Sequence, residues 1–125
     1  MIHLDTSFLI RALGRGSLED SVLREWLSAG EEIGISAVAW GEFLCGPLGP
    51  NETALAAEVV GDPLPLDAAA AALAAELYNR CGRRRGSMLD CFIAACAVSC
   101  GARLATTNQA DFRRFAEAGL VLAEA

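Results

Sequence analysis

The sequence predicts an α/β fold: a single three-layer α/β/α domain, residues 1–125, built around a short parallel sheet. Short apolar segments typical of strands alternate along the chain with longer segments of helical periodicity. This alternation is typical of a parallel sheet that is covered by helices on both faces. The length of 125 residues fits one domain, and the 54% share of hydrophobic residues favours a folded globular chain over a disordered one.

The first half of the chain predicts two strands and three helices. Residues 2–4 and 33–35 are short apolar strand signals. Ser17 and Ser36 stand where a helix N-cap is expected, and apolar residues then recur at helical spacing. The three helices are expected at residues 6–13, 18–29 and 37–45.

The second half continues the alternation. Asn51 is the expected cap of a helix that ends at Val60, an extended segment follows at 64–66, and Asp67 is the expected cap of an alanine-rich helix that ends at Cys81. A basic loop at 82–86 separates it from the remaining elements. These are a helix at 88–100 after Ser87, a strand at 103–105, a helix capped by Thr107 or Asn108 and ending at Ala118, and a last strand at 120–122.

The composition excludes several kinds of site. The chain contains no lysine, since all ten basic residues are arginines, which removes P-loop nucleotide binding, Schiff-base chemistry and receiver-domain phosphorelay. The single histidine, His3, argues against a Ser-His-Asp triad and is expected to face the core. No apolar run is long enough to span a bilayer, and the N-terminus lacks the features of a signal peptide, so residence in the cytoplasm is expected.

The five cysteines predict neither disulfides nor a zinc site. Cys96 and Cys100 are one helical turn apart, which makes a zinc pair conceivable, but structural zinc sites usually need four well-spaced ligands. Small buried thiols in a reducing compartment are the favoured interpretation.

The net charge of −6 is unfavourable for passive binding to nucleic acid. Bound metal and a local arginine cluster are the two features that could offset the repulsion. The only basic run is Arg83-Arg84-Arg85, either a solvated turn or a loop that contacts phosphates. Four further arginines could also contact RNA, although ordinary surface charge is the favoured interpretation: Arg11, Arg15, Arg113 and Arg114.

Four acidic residues stand where predicted elements meet. Asp5 follows the first strand directly, Asp90 lies in the first turn of the helix after the arginine loop, and Asp111 lies in the first turn after the third strand. Glu42 interrupts an apolar helix that is expected to be buried, where carboxylates are rare unless paired or bound to metal. Because ligands bind at the carboxyl ends of strands in an open parallel sheet, we expect the four to converge there.

Each aspartate also has a purely structural interpretation. Asp5 could cap the first helix, whereas Asp90 and Asp111 stand three residues after Ser87 and Asn108, the spacing of a capping box. If the acids instead converge, they repel one another, and hard divalent cations relieve that repulsion through oxygen ligands. Such an ion activates water, and a second can stabilise the leaving oxygen of a phosphodiester.

Four motifs, in order, make nearly the whole chain resemble the PIN-domain family, and within it the VapC-like toxins of type II toxin–antitoxin systems. The motifs are Leu4–Ser7, Ile35–Ser36 with Glu42, Asp90–Ala97 and Leu104–Phe112. The resemblance implies a Mg²⁺- or Mn²⁺-dependent endoribonuclease that cuts transfer or ribosomal RNA, held inactive by a small antitoxin and commonly a homodimer.

The resemblance also implies roles for individual residues. Asp5, Glu42, Asp90 and Asp111 correspond to the catalytic, metal-binding acids. Thr6 and Ser7 would support Asp5, while Thr106 and Asn108 would orient the fourth acid or the metal's water. Some relatives carry an additional acid at the Asn108 position, and the amide here argues against a strong second metal site.

Two alternatives remain open from the sequence. One is a PIN fold that serves as a binding or regulatory module without catalysis. The other is a phosphoryl-transfer domain of the haloacid-dehalogenase kind, which also begins with a strand ending in aspartate. That family needs a second aspartate two residues later, where this chain has Ser7, and it uses a lysine that this chain lacks.

Overall fold

A computed structural model describes residues 1–124 of the chain. Three strands are interleaved with seven α-helices, and one 3₁₀ helix follows the last of them. The strands are β1 (Ile2–Leu4), β2 (Ile33–Gly34) and β3 (Arg103–Ala105). The helices are α1 (Thr6–Ala12), α2 (Leu18–Ser28), α3 (Ala37–Leu44), α4 (Pro50–Val60), α5 (Ala68–Arg80), α6 (Met88–Ser99), α7 (Gln109–Phe112) and the 3₁₀ helix Arg113–Ala118.

The three strands form one parallel sheet in the order β2-β1-β3, which confirms the predicted α/β class. Strand β1 is central, and Ile2 pairs with Ile33 on one side and with Arg103 on the other. A hydrogen bond of 2.8 Å from the Asp5 amide to the Ala105 carbonyl, at the last residue of β3, extends the β1–β3 pairing past the end of β1. Asp5 and the residues after Ala105 therefore leave the sheet side by side at its carboxyl edge.

Helix α6 lies at the centre of the hydrophobic core. It packs against α5, α3 and β3, and its small and apolar residues from Cys91 to Ala97 are almost all buried. Small side chains let neighbouring backbones approach closely, so the helix can pass through the core. Its first turn lies near the edge of the sheet. This placement brings Asp90, in that first turn, to the edge.

Three of the predicted helix starts are confirmed by cap hydrogen bonds. The side chains of Ser17, Ser36 and Asp67 accept bonds from backbone amides in the first turns of α2, α3 and α5. The prediction for Asn51 was wrong, because α4 begins at Pro50 with Gly49 as its N-cap. Proline favours the first helical position, since its fixed φ suits the helix and it has no amide hydrogen to satisfy there.

The predicted end of the chain was also partly wrong. The helix expected to reach Ala118 is a four-residue α7 followed by a 3₁₀ helix. The strand expected at 120–122 is reduced to an isolated bridge between Leu104 and Leu122. Gly119 turns the chain at a positive φ of 102° and Val121 points to solvent, so the segment meets the sheet at one point only.

Two expectations about burial need correction. Only Cys91 and Cys96 are buried thiols, whereas Cys45 and Cys100 are exposed, because both stand where a helix ends and the chain turns outward. Helix α3 is not buried all round either: Phe43 faces the core but Leu44 is half exposed. His3 does face the core, as expected, at 3% exposure.

Within residues 1–124, no helix is both long and apolar enough to cross a membrane.

Candidate active site

Asp5 is the acidic residue of the site whose carboxylate is held by the most hydrogen bonds. It follows β1 and is buried, at 5% exposure. One carboxylate oxygen, Oδ1, accepts a 2.8 Å hydrogen bond from the Thr6 amide and caps α1, so the structural interpretation holds for this residue. The other oxygen, Oδ2, accepts bonds from Ser7 Oγ at 2.9 Å and Thr106 Oγ1 at 2.8 Å. Because a carboxylate offers about four acceptor positions, these three donors leave one direction open to a ligand.

The loop after β3 is bonded directly to the loop after β1. Thr106 Oγ1 donates to Asp5 and accepts from the Asn108 amide at 3.0 Å, while the Thr107 amide donates to Ser7 Oγ at 3.3 Å. Each hydroxyl thus both donates and accepts, which determines its orientation. These bonds join two segments that are about a hundred residues apart in sequence and fix the direction of the Asp5 carboxylate.

Glu42 is connected to the same network through Thr6. The Thr6 hydroxyl lies 3.0 Å from both Glu42 Oε1 and the Ala39 carbonyl of α3. Thr6 therefore supports Glu42 with its side chain and Asp5 with its backbone, whereas the family resemblance implied support of Asp5 alone. The half-buried Glu42 lies on the side of α3 that faces α1.

Asp90 carries the strongest electrostatic signal of the four acids. Partial burial raises the pKa of its carboxyl, and the negative charges of Asp5, Asp111 and Glu42 raise it further, while Arg114 opposes them. The other three acids thus lie within electrostatic reach of Asp90. No hydrogen bond from the rest of residues 1–124 reaches the Asp90 side chain, and Ser87 donates to the Arg84 carbonyl instead of capping α6. The capping-box interpretation of Asp90 is not supported by these contacts.

Asp111 lies at the exposed side of the site. It stands in α7, whose N-cap Asn108 makes no side-chain cap bond. The Asn108 side chain is exposed and holds its loop through its backbone amide. Asp111 is therefore free to turn toward the other acids or toward solvent.

The donor atoms suit a hard divalent cation, because carboxylate and hydroxyl oxygens are what Mg²⁺ and Mn²⁺ prefer. Among residues 1–124, however, no three acidic, histidine or cysteine side chains stand close enough to form a ready-made metal site. Carboxylates that repel one another separate when no cation lies between them. Since Mg²⁺ keeps several waters and uses only one or two carboxylates directly, the arrangement still fits such an ion.

One arginine, Arg114, lies near Asp90, and an exposed arginine loop precedes α6 in the chain. The loop Arg83–Arg85 is exposed and directly precedes α6, and Arg83 holds a positive φ of 53° beside the Tyr78 ring. Arg114 is close enough to Asp90 to affect the pKa of its carboxyl. The sequence favoured surface charge for Arg114, because a residue three positions after Asp111 on a helix gave no sign that it faces α6.

Comparisons with known proteins agree with this fold. A family model described as the PIN domain matches residues 2–118. Curated proteins include no match at a significant level.

Solved structures share the fold at low sequence identity. VapBC2 from Rickettsia felis, bound to a DNA fragment from its promoter, has a TM-score of 0.77 at 20% identity and 98% coverage of both chains. A toxin–antitoxin complex from Klebsiella pneumoniae has a TM-score of 0.72 at 20% identity and 90% coverage of both. VapC20 from Mycobacterium tuberculosis, a toxin that cleaves the Sarcin-Ricin loop, has a TM-score of 0.67 at 22% identity and 98% coverage of both.

Proposed function

The chain belongs to the PIN-domain family, and on that premise we propose that it is a Mg²⁺- or Mn²⁺-dependent endoribonuclease, the toxin of a toxin–antitoxin pair. The observation that carries the proposal is that Asp5, Asp111 and Glu42 lie close enough to Asp90 for their negative charges to raise the pKa of its carboxyl. These three acids are far from Asp90 in sequence, and Asp5 follows a strand at the carboxyl edge of the parallel sheet, where ligands of such folds bind. A purely structural role for each acid gives no reason for them to meet.

The protein's own contribution is to position the acids. Asp5 is held by three hydrogen bonds, so its carboxylate has a fixed direction. Glu42 has one possible donor, the Thr6 hydroxyl, which also lies at hydrogen-bond distance from the Ala39 carbonyl. Asp90 and Asp111 lack such bonds within residues 1–124 and can adjust. A divalent ion held there would supply activation of the attacking water and neutralisation of charge on the phosphate.

We propose ribosomal or transfer RNA as the substrate class. VapC20, which shares the fold, is a toxin that cleaves the Sarcin-Ricin loop. The net charge of −6 is unfavourable for RNA binding, so we propose that binding depends on arginines: Arg114 near Asp90 and the exposed loop Arg83–Arg85.

We propose a small antitoxin as partner, and a homodimer as the assembly. A groove of about 470 Å³ lies beside Thr106 and Thr107 and is lined by apolar residues of α1 and α2, among them Phe8 and Trp26, with Leu18 71% exposed at its rim. An amphipathic antitoxin segment could cover this groove and insert an arginine among the acids. A neighbouring reading frame that encodes a small DNA-binding protein with a basic tail would support the pairing, and light scattering would measure the assembly.

The deciding experiment is cleavage of total RNA with the cut ends mapped. Wild type and Asp90→Asn, purified side by side, are compared with Mg²⁺, Mn²⁺ or a chelator, and Glu58→Gln on exposed α4 is the matched control. Metal-dependent cuts by wild type and Glu58→Gln, absent from Asp90→Asn, are expected. Equal cleavage by all three proteins would contradict the proposal. Partner binding without any cleavage would instead support a binding module without catalytic activity.

A further inference from the structure

A second cleft lies between the end of α5 and the 3₁₀ helix. It has a volume of about 240 Å³ and is lined by Leu77, Arg80, Cys81, Arg114, Glu117 and Ala118. We call this the arginine cleft. Two of its six lining residues are arginines in a chain of net charge −6, so its local charge is opposite to that of the whole protein.

Arg114 is held rigidly at this cleft. Its Nε donates a 2.8 Å hydrogen bond to the Asp111 carbonyl, and its guanidinium carbon lies 4.5 Å from the centre of the buried Phe115 ring. Because the stem and the Nε are both fixed, little side-chain entropy remains to be lost when a ligand binds.

The terminal nitrogens of Arg114 remain available. No carboxylate in residues 1–124 lies within ion-pair distance of Arg114 or Arg80, although Glu117 lines the same cleft. A fixed guanidinium with two free NH₂ groups matches the oxygens of a phosphate in a bidentate fashion. With Glu117 counted, the cleft carries one net positive charge, which suits a single phosphate group.

The arginine cleft adjoins the acidic site. Arg114 opposes the rise in the pKa of Asp90, so its charge acts directly on that carboxyl. The Cys81 thiol contacts the Arg114 carbonyl at 3.8 Å. The loop Arg83–Arg85 begins two residues after Cys81 in the chain. Arg80 and Arg114 line the arginine cleft together, and Arg114 is the residue that connects this cleft to Asp90.

We propose that the arginine cleft binds a backbone phosphate of the RNA next to the one that is cut. The inference rests on the proposed function and adds a substrate subsite to it. Arg114 would be a binding residue that sets the position of the strand, with Arg80 as its partner. The competing explanation is that Arg114 only neutralises the acids and never contacts RNA.

Binding without catalysis separates these explanations. A labelled single-stranded RNA oligonucleotide is titrated with protein in chelator, and fluorescence anisotropy gives the affinity over a series of salt concentrations. All proteins carry Asp90→Asn, so an effect of Arg114 through the Asp90 charge is removed. The added substitutions are Arg114→Gln, Arg80→Gln and, as a control, Arg24→Gln, which removes only an exposed ion pair with Asp20.

If the cleft binds a phosphate, Arg114→Gln lowers the affinity and reduces the slope of log K against log salt by about 0.7, the value of one phosphate contact on a single strand. Arg80→Gln changes both in the same direction, and Arg24→Gln changes neither. An unchanged slope for Arg114→Gln, or no RNA binding by the parent protein, would overturn the inference. If thermal melting shows that Arg114→Gln is unfolded, the RNA affinity and salt dependence of Arg80→Gln, a substitution at an exposed residue, decide the question.

The two proposals fail separately. Chelator prevents any metal-dependent cut, so the binding result is independent of whether the chain cleaves RNA. A protein that binds RNA through the cleft but never cleaves it retains the phosphate-binding cleft and loses the enzyme, together with the position of the cleft relative to a cut. The reverse result retains the enzyme and loses the cleft.

Discussion

Thr106 Oγ1 donates a 2.8 Å hydrogen bond to Asp5 Oδ2 across the carboxyl edge of the sheet. Both residues are buried, and each stands immediately after a strand. Because β1 and β3 are parallel neighbours, the residues that follow them meet even though 101 positions separate them in sequence. This bond determines where the Asp5 carboxylate points.

Replacing Thr106 by valine is therefore expected to weaken both the fold and the site. The shape is kept, but Asp5 Oδ2 loses a donor in a buried position, which destabilises the protein by about 1 to 3 kcal/mol. Loss of an outer partner of a metal-binding group lowers metal affinity by about 10- to 100-fold. Urea unfolding and calorimetric titration with Mn²⁺ measure the two effects.

The neighbouring Thr107 provides the matched control for this prediction. Its contribution to the network comes from its backbone amide, so Thr107→Val keeps every hydrogen bond around Asp5. If Thr107→Val and Thr106→Val lose equal stability and metal affinity, the hydroxyl of Thr106 has no special role.

Divalent metal is expected to stabilise the folded protein. The four acids repel one another without a cation, and an ion that binds only the folded state adds about 2.7 kcal/mol when it is present at a hundred times its dissociation constant. Thermal melting in Mn²⁺ or Mg²⁺, compared with sodium chloride at equal ionic strength, tests this. The shift is expected for wild type and Glu58→Gln and to be small for Asp90→Asn; no shift in wild type argues against a metal site.

Local signals in the sequence were enough to predict most helices and the sheet. Ser17, Ser36 and Asp67 cap helices because a cap needs only the residue itself and the next turn. The segment at 120–122 was predicted wrongly because its apolar residues look like a strand, yet whether it pairs depends on the turn at Gly119 and on where β3 lies. Such information is not local.

The features of the candidate site also divide into those that local sequence predicts and those that depend on packing. Asp5 could be placed from the end of β1 alone, whereas the approach of Glu42, Asp90 and Asp111 to it was expected from strand order and from the family motifs together. The bond from Thr6 to Glu42 and the position of Arg114 beside Asp90 depend on how α3 and the 3₁₀ helix pack. Neither relationship leaves a periodic pattern in the sequence.

Asp90→Asn is expected to stabilise the metal-free protein at neutral pH. Burial and the neighbouring negative charges raise the pKa of Asp90 above its ordinary 3.8, so the ionised carboxyl is less favourable in the folded chain than in the unfolded one. That penalty is complete above the raised pKa and disappears below pH 3.8, where both states are protonated. Denaturant unfolding in chelator at several pH values should show the variant's advantage shrinking as the pH falls, and an equal advantage at every pH would contradict this origin.

His3 is expected to make the fold sensitive to mild acid. Its ring is buried against Gly34 of β2, where an added Cβ would lie 3.2 Å from its Cδ2, and its Nδ1 has no hydrogen-bond partner within the described chain. Burial lowers the pKa of His3 below 6.5, so below that pH the unfolded chain takes up a proton that the folded chain resists. Stability should then fall by at most about 1.4 kcal/mol per pH unit, until the lowered pKa is reached, and stay level above pH 6.5. His3→Phe keeps a ring in place without the titration, and His3→Gln serves if phenylalanine does not fit. Urea unfolding of wild type and variant between neutral and mildly acidic pH compares the two slopes, and identical slopes would show that protonation of His3 is not what weakens the fold.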